Sequence, residues 1–553
     1  MMHSHWLQDF FGSAGKDTLS QLLAERLASA PDSVAFVEGA SPVTTAEFAT
    51  LCAQAAAWLR HEGIGAGDGV AVWMVNRVEW LALYFGLSRI GAILVSVNTR
   101  YRSEEVTHIL AQSGAKMLVL QPGFRRIDFA AVLAGVDAAR LPTLRKIAVC
   151  GTGDVVGRLL DRDTVPLQLA GMNIQFEAGP VDADAPSILF TTSGTTKGPK
   201  MVAHSQRTIS GHARHCAKAL GLDQPAAAML AMLPLCGVFG LNGALAAFAG
   251  HAPVILVDSF QEDAVAKLLN DHQITHTFGS DDMYKRIIDR LPGDRPLPHA
   301  RLFGFGAFTS AFNDYALACW KRGIPLIGLY GSSEVLACWS AQSTAFPVEQ
   351  RVEGGGVPVA GAAAGVRIRD NDSLCLVPAG QLGEIEIRGP SNFIGYFQNP
   401  DATAEALTDD GFFRTGDLGY LREDGSLVYQ SRMGDAVRLG GFLVNPMEIE
   451  EVLKQFPGVQ DAQVVAVQID GQLRPVAFVI AVEAGTFHME DLLAQSRERM
   501  AAFKVPARVW LVDTYPVTQS ANGVKTQRNK LREWALERLQ GEPDRTGKAV
   551  SRI

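Results

Sequence analysis

The chain contains no Cys-x-x-Cys pair, no internal repeat and no low-complexity tract. Its seven cysteines (Cys52, Cys150, Cys216, Cys236, Cys319, Cys338 and Cys375) are scattered and odd in number. That excludes a disulfide scaffold or a zinc ribbon and reads as reduced thiols in a cytoplasmic protein. Positive charge is also scarce. A net charge of −8 gives no global attraction for nucleic acid or an anionic membrane, so a polyphosphate ligand must be held by local donors. The first residues, Met1-Met2-His3-Ser4-His5-Trp6, lack the basic and apolar regions of a signal peptide. One stretch, 224–257, carries no Asp, Glu, Lys or Arg, yet Pro234, Gly237, Gly240, Asn242, Gly243, Gly250, His251 and Pro253 break it up. It reads as buried strand, loop, helix and strand, and not as a transmembrane segment.

What is present describes a globular enzyme-sized chain: 553 residues, 47% hydrophobic and 20% charged. That length suggests about three or four packing units. The first half alternates helical and strand patterns. Helices are expected at 45–61, 78–91 and 104–113, and strands at 69–74, 92–97 and 116–120. The alternation resumes after Ala185 with strands near 187–190, 229–233, 254–257, 275–278 and 326–330. Such alternation means βαβ units, so the fold class is α/β, with two doubly wound sheets in tandem. From about Val352 short alternating strands at 366–369, 383–388 and 426–429 suggest a small β-barrel subdomain. A smaller C-terminal α+β domain follows, with helices at 446–456, 487–503 and 530–539. The expected division is 1–431, a hinge at 432–435, and 436–553.

Five clusters carry chemistry. The apolar run Ser187-Ile188-Leu189-Phe190 leads into Thr191-Thr192-Ser193-Gly194-Thr195-Thr196-Lys197-Gly198-Pro199-Lys200. A strand feeding a hydroxyl-rich, glycine-containing loop can converge backbone N–H groups on an anion, and Lys197 or Lys200 adds a mobile point charge. It is not a Walker A loop, because Pro199 follows Gly198. Next, the strand 324–329 ends in Tyr330-Gly331-Ser332-Ser333-Glu334, where ligands of open α/β sheets bind. Tyr330 could stack on a base, Ser333 donate to a phosphate and Glu334 hold Mg²⁺; a plain strand-to-helix turn with a serine cap reads the same residues. Asp417, in a glycine-flanked turn, could accept from ribose hydroxyls or simply form the turn. The segment from Ser431 through Arg432 to Gly440-Gly441 and Glu450 reads as a linker whose glycines permit close backbone approach. Last, Ser520-Ala521-Asn522-Gly523-Val524-Lys525 places a lysine after an Asn-Gly turn; an isolated exposed lysine is ordinarily solvated.

In order and spacing these clusters resemble the adenylate-forming superfamily of acyl-CoA synthetases, aryl-CoA ligases, firefly luciferase and peptide-synthetase adenylation domains. The resemblance covers nearly the whole chain and implies a two-step reaction. A carboxylate attacks the α-phosphate of ATP to give an acyl-adenylate and pyrophosphate, and a thiol, usually of coenzyme A, then displaces AMP. It implies that Thr191, Thr192, Ser193, Gly194, Thr195, Thr196 and Lys197 surround the β- and γ-phosphates. Tyr330 stacks on adenine, with Gly306, Ala307, Gly331, Ser332 and Ser333 lining the nucleotide; Glu334 ligates Mg²⁺, and Asp417 and Arg432 hold the ribose. Lys525 bridges the carboxylate and the α-phosphate, so the catalytic set is Lys525, Glu334 and Thr192. After adenylation the small domain swings, bringing Gly440-Gly441 toward the pantetheine.

Three departures stand out. Gly434 occupies the family's pivot, usually Asp or Lys. In Pro234-Leu235-Cys236-Gly237-Val238-Phe239-Gly240, Cys236 and Gly237 replace Phe and His of the acyl site. Phe308 stands where proline is usual. The expected acyl pocket includes Cys236, Gly237, Phe239 and Phe305, with walls from 235–242, 277–284 and 303–308. Apolar and aromatic side chains dominate these segments, and no basic residue is present to pair a second carboxylate, which disfavours dicarboxylates. The expected activity is therefore CoA ligation of an apolar monocarboxylic acid, fatty or aromatic. Alternatives are loading of a separate carrier protein, a nucleotide-binding protein without turnover, and a luciferase-like oxygenase. The partners are the acid, ATP and CoA, with a homodimer as the expected assembly.

Overall fold

The computed structural model describes residues 2–125, 127–151, 157–173, 179–191, 200–306, 312–370, 373–433, 437–439, 442–444, 446–469, 472–482, 489–500, 504–520 and 523–541. Two compact units emerge. The first comprises Met1–Gly306, Ala316–Val366 and Glu386–Arg414; the second comprises Ala307–Tyr315, Arg367–Ile385 and Thr415–Ile553.

The first unit holds two sheets, and they are interleaved in sequence instead of following one another. In one, the order is Gly395–Tyr396, Met201–Ser205, Pro186–Thr191, Ile93–Ser96, Gly69–Trp73, Met117–Leu120, Lys146–Val149, Arg162–Pro166, Arg158–Leu159. Strand Pro186–Thr191, expected in the later series, pairs in parallel with Ile93–Ser96 of the earlier one (Ile188↔Leu94, Leu189↔Val95). In the other sheet, the early strand Val34–Glu38 lies parallel to Val254–Leu256. Parallel strands need a crossover, and a long one lets early residues complete a late sheet, which local periodicity does not record. From Val254–Leu256 the order continues through Met229–Ala231, His276–Ser280, Leu302–Gly306 and Leu326–Tyr330.

Helix Thr45–His61 begins where Thr44 and Glu47 form a reciprocal capping box, satisfying two otherwise orphaned N–H groups. It packs with Val78–Arg89. The rings of Phe36, Phe48, Phe85 and Phe248 cluster with centroids 4.6–5.7 Å apart. Fully buried Arg26 lies 4.8 Å over the Phe248 ring and donates to the carbonyls of Phe248 (3.0 Å), Ala252 (3.3 Å) and Val34 (2.9 Å) and to Thr45 Oγ1. The uncharged stretch 224–257 resolves into strand Met229–Ala231, helix Val238–Ala249 and strand Val254–Leu256. Among the described residues no helix is long and apolar enough to cross a membrane.

In the second unit, strands Phe413–Leu421 and Leu427–Arg432 pair antiparallel. Its C-terminal part has Val459–Ile469 antiparallel to Gln472–Ala481, with Arg508–Leu511 added in parallel. The period-two alternation of Val459–Ile469 serves both faces. Val464 packs with Ile449 and Leu453 of helix Pro446–Lys454, while Val465 and Val467 pack with Leu531 and Ala535 of helix Arg528–Gly541.

Candidate active site

Strand Pro186–Thr191 delivers the start of the hydroxyl-rich loop. Thr191 Oγ1 is 2.8 Å from Tyr101 Oη, whose ionisation burial pushes up to about 12. Thr192, Ser193, Gly194, Thr195, Thr196 and Lys197 lie outside the described residues. Lys200, at the loop's far end, holds its Nζ 4.6 Å from the Tyr396 ring centroid. This cation–π contact follows from sheet pairing, since Val202 is the register partner of Tyr396.

Strand Leu326–Tyr330 opens into the Glu334 loop. Gly331 is required there, because a methyl group at its Cα would overlap the carbonyl of Ala337. Leu336 and Ala337 adopt left-handed conformations, φ 61° and 63°, which fold the loop back. Glu334 is buried, and both of its carboxylate oxygens accept from neutral donors: Ser332 Oγ at 2.7 Å and the Tyr396 hydroxyl at 3.0 Å. Its own carbonyl accepts from the Phe393 amide at 2.7 Å. Two histidines support the loop's backbone: His204 Nε2 donates to the Ser333 carbonyl (2.8 Å) and His212 Nε2 to that of Leu336 (3.1 Å). Burial lowers His204 to about 3, so it is a neutral imidazole at physiological pH. Gly306 ends the neighbouring strand Leu302–Gly306 with open space at its Cα, and Phe305 is buried. Ala307 and Phe308 lie outside the described residues.

Cys236 and Gly237 occupy the connection from strand Met229–Ala231 to helix Val238–Ala249, where Gly237 is the N-cap. Buried Asn76 fixes this connection: its Oδ1 accepts from the Leu235 amide at 2.7 Å, and its Nδ2 donates to the carbonyls of Leu233 (2.9 Å) and Val257 (3.0 Å). Ser96 Oγ donates to the Cys236 carbonyl at 2.7 Å, and burial pushes the Cys236 thiol up to about 11. Phe239 stacks on Phe278.

In the second unit Asp417 and Arg432 are register partners across their hairpin, with Arg432 Nε 3.3 Å from Asp417 Oδ1. The carboxylate is buried, and the Asp417 amide donates to Thr415 Oγ1 at 3.0 Å. Lys525 lies on strand Gly523–Thr526 opposite Thr518; its side chain is outside the described residues. So are Gly434 and the pair Gly440 and Gly441 that joins strands Val437–Leu439 and Phe442–Val444. Just beyond Lys525, Arg528 clamps Glu450 with its two terminal guanidinium nitrogens, Nη1–Oε1 2.7 Å and Nη2–Oε2 3.1 Å.

Of the residues expected at the site, the structure brings together Glu334 with Ser332, and Asp417 with Arg432. Outside every sequence motif are Tyr396 and His204, on distant strands, and Asn76 and Tyr101, in loops after strand ends; Lys200 was visible only as an alternative to Lys197.

The model of the AMP-binding enzyme family matches residues 23–397, and that of the AMP-binding enzyme C-terminal domain matches 448–522. A methyl-dioxo-octahydro-indenyl-propanoyl:CoA ligase of Rhodococcus jostii (strain RHA1) is 30% identical over 86% of this chain and 91% of its own length. The medium-chain fatty-acid–CoA ligase of Escherichia coli (strain K12) is 28% identical over 96% of this chain and 92% of its own. ATP-bound MatB from Rhodopseudomonas palustris superposes with a TM-score of 0.79 at 25% identity, covering 93% of this chain and 98% of that one. The two family models together match most of the chain, and this chain belongs to the AMP-binding enzyme family.

Proposed function

We propose that the chain is an ATP-dependent acid:CoA ligase acting on an apolar monocarboxylic acid. The acid's carboxylate oxygen attacks the α-phosphorus of ATP and pyrophosphate leaves; the CoA thiol then attacks the acyl carbon and AMP leaves. The observation that carries the reading is Glu334, set by two neutral donors at the carboxyl end of a parallel strand, where α/β folds bind nucleotides.

The family pattern assigns the remaining roles. The loop 191–197 cradles the phosphates, Tyr330 packs on adenine, and Asp417 with Arg432 takes the ribose hydroxyls. Lys525 pairs with the carboxylate and the α-phosphate as charge builds on phosphorus. The hard oxygens of Glu334 suit Mg²⁺, which when bound offsets phosphate charge. The division at 432–435 gives Lys525 a mobile carrier domain, and Gly434 supplies a hinge free of side-chain hindrance. The seven free cysteines support a reducing, cytoplasmic setting.

The test is pyrophosphate release across fatty acids, benzoates and dicarboxylates, followed by thioester formation with CoA or with a holo-carrier protein. Dicarboxylates belong in that panel as the check on the expected walls 235–242, 277–284 and 303–308, which carry no basic residue. K525A is expected to lose adenylation by several hundredfold, about 3–4 kcal/mol, while still converting a supplied acyl-adenylate to thioester. No pyrophosphate with any acid would sink the reading. Light scattering reads the proposed homodimer.

A further inference from the structure

Helix Val238–Ala249 lies against strands Met229–Ala231 and His276–Ser280 in the first unit. Between helix and strands stands Phe278, only 1% exposed and stacked on Phe239 with centroids 5.4 Å apart and planes 16° from parallel. Its ring fills space on both sides. A methyl group on Gly243 of the helix would come within 2.9 Å of Phe278 Cδ2, and one on Gly304 of the adjoining strand within 2.9 Å of Cδ1. Met229 Cε and Leu329 Cδ1 close the remaining gaps, 2.7 Å and 2.6 Å from the same two points. The two glycines leave room for a ring, and Phe278 occupies it.

We propose that Phe278 is the floor of the acyl pocket and limits this enzyme to short or single-ring acids. The inference rests on the ligase reading, with the carboxylate end of the acid near Cys236 and Gly237. From Gly237 to Gly243 is six helix positions, about 9 Å. That depth holds one ring or a short chain; a long fatty chain entering along the helix meets the Phe239–Phe278 stack. An apolar floor discriminates by size, roughly tenfold or more for each methylene that does not fit.

The test compares butanoate, hexanoate, decanoate, palmitate and benzoate with wild type, F278A and F278L. The wild type is expected to favour the short acids and benzoate. F278A should raise the decanoate-to-butanoate ratio of kcat/KM at least tenfold, the worth of about one methylene. F278L keeps the core filled, serves if F278A does not fold, and should shift the ratio in the same direction by less. A wild type that uses palmitate as well as butanoate, or a ratio unmoved in the folded variants, overturns the proposal. Stabilisation of the chain against heat by the same acids reads the pocket without turnover. Equal stabilisation by decanoate and benzoate refutes the floor even if no pyrophosphate is made, whereas size-selective stabilisation without turnover supports the floor and removes the ligase reading.

Discussion

The Tyr396 hydroxyl donates to Glu334 Oε1 at 3.0 Å while its ring lies beneath the ammonium of Lys200 at 4.6 Å. One side chain thus links the end of the loop proposed to hold phosphates to the carboxylate proposed to take Mg²⁺. Y396F keeps the ring and removes the hydroxyl. A hydrogen bond to a charged group contributes about 1.5–3 kcal/mol, so adenylation is expected to fall roughly tenfold or more. The Mg²⁺ concentration needed for ATP binding, followed by calorimetry, should rise in parallel. Y396L also removes the cation–π contact and should lose more. An unchanged Mg²⁺ requirement in Y396F would show that the phenol does not position Glu334.

The Glu334 loop tolerates no side chain at Gly331, where a methyl group meets the Ala337 carbonyl. G331A is expected to cost about 1–3 kcal/mol of stability, the usual range for overpacking, as the loop shifts away. ATP binding should weaken further than that of a variant equally destabilised elsewhere. Matching losses in both would mean the loop re-forms intact.

Two buried neutral histidines give stability a defined pH dependence. Burial lowers His204 to about 3 and His276 to about 4. Both folded values lie below the ordinary value of 6.5, so in the window between, the unfolded chain binds more protons. Stability is therefore full above about pH 6.5 and falls as pH drops toward 4, at roughly 1 kcal/mol per pH unit for each histidine. Urea midpoints at several pH values measure the slope, and H276N should reduce it. A midpoint that does not move between neutral pH and pH 5 would refute both assignments.

Glu450 and Arg528 form a bidentate pair in the second unit, with side chains 1% and 13% exposed. Removing one partner leaves a buried charge uncompensated, which costs about 3–5 kcal/mol. E450A should lower the melting temperature of the full chain, and an E450L/R528M double variant should recover part of the loss. Loss in the double variant equal to the sum of the single ones would mean the two residues do not interact.

Arg26 is the corresponding test in the first unit. Its guanidinium holds three carbonyls, and each buried acceptor left unsatisfied costs about 1–3 kcal/mol. R26M is expected to lower the denaturant midpoint markedly with no change in the chain-length preference of the folded fraction.

The legible parts of the sequence were those where chemistry and chain order coincide. Tyr330 through Glu334 is one strand end and its turn; Asp417 and Arg432 are two strands of one hairpin, so short-range patterning places them. Tyr396 is different. It reaches Glu334 because strand Gly395–Tyr396 pairs with Met201–Ser205, a register set by long-range sheet assembly. The same holds for Val34–Glu38, whose alternation says strand but not which sheet. His204 and Asn76 act on backbone carbonyls, and a carbonyl carries no residue identity for a motif to record.

Cys236 gains a meaning from its burial. On the proposed reaction, a mixed anhydride of acid and phosphate forms beside a thiol of this chain, and such anhydrides acylate thiolates. Burial pushes its ionisation up to about 11, so that thiol stays protonated at neutral pH. On that reading the acyl group survives to meet the incoming CoA, because the burial that raises the thiol's ionisation also withholds the nucleophile that would consume the intermediate.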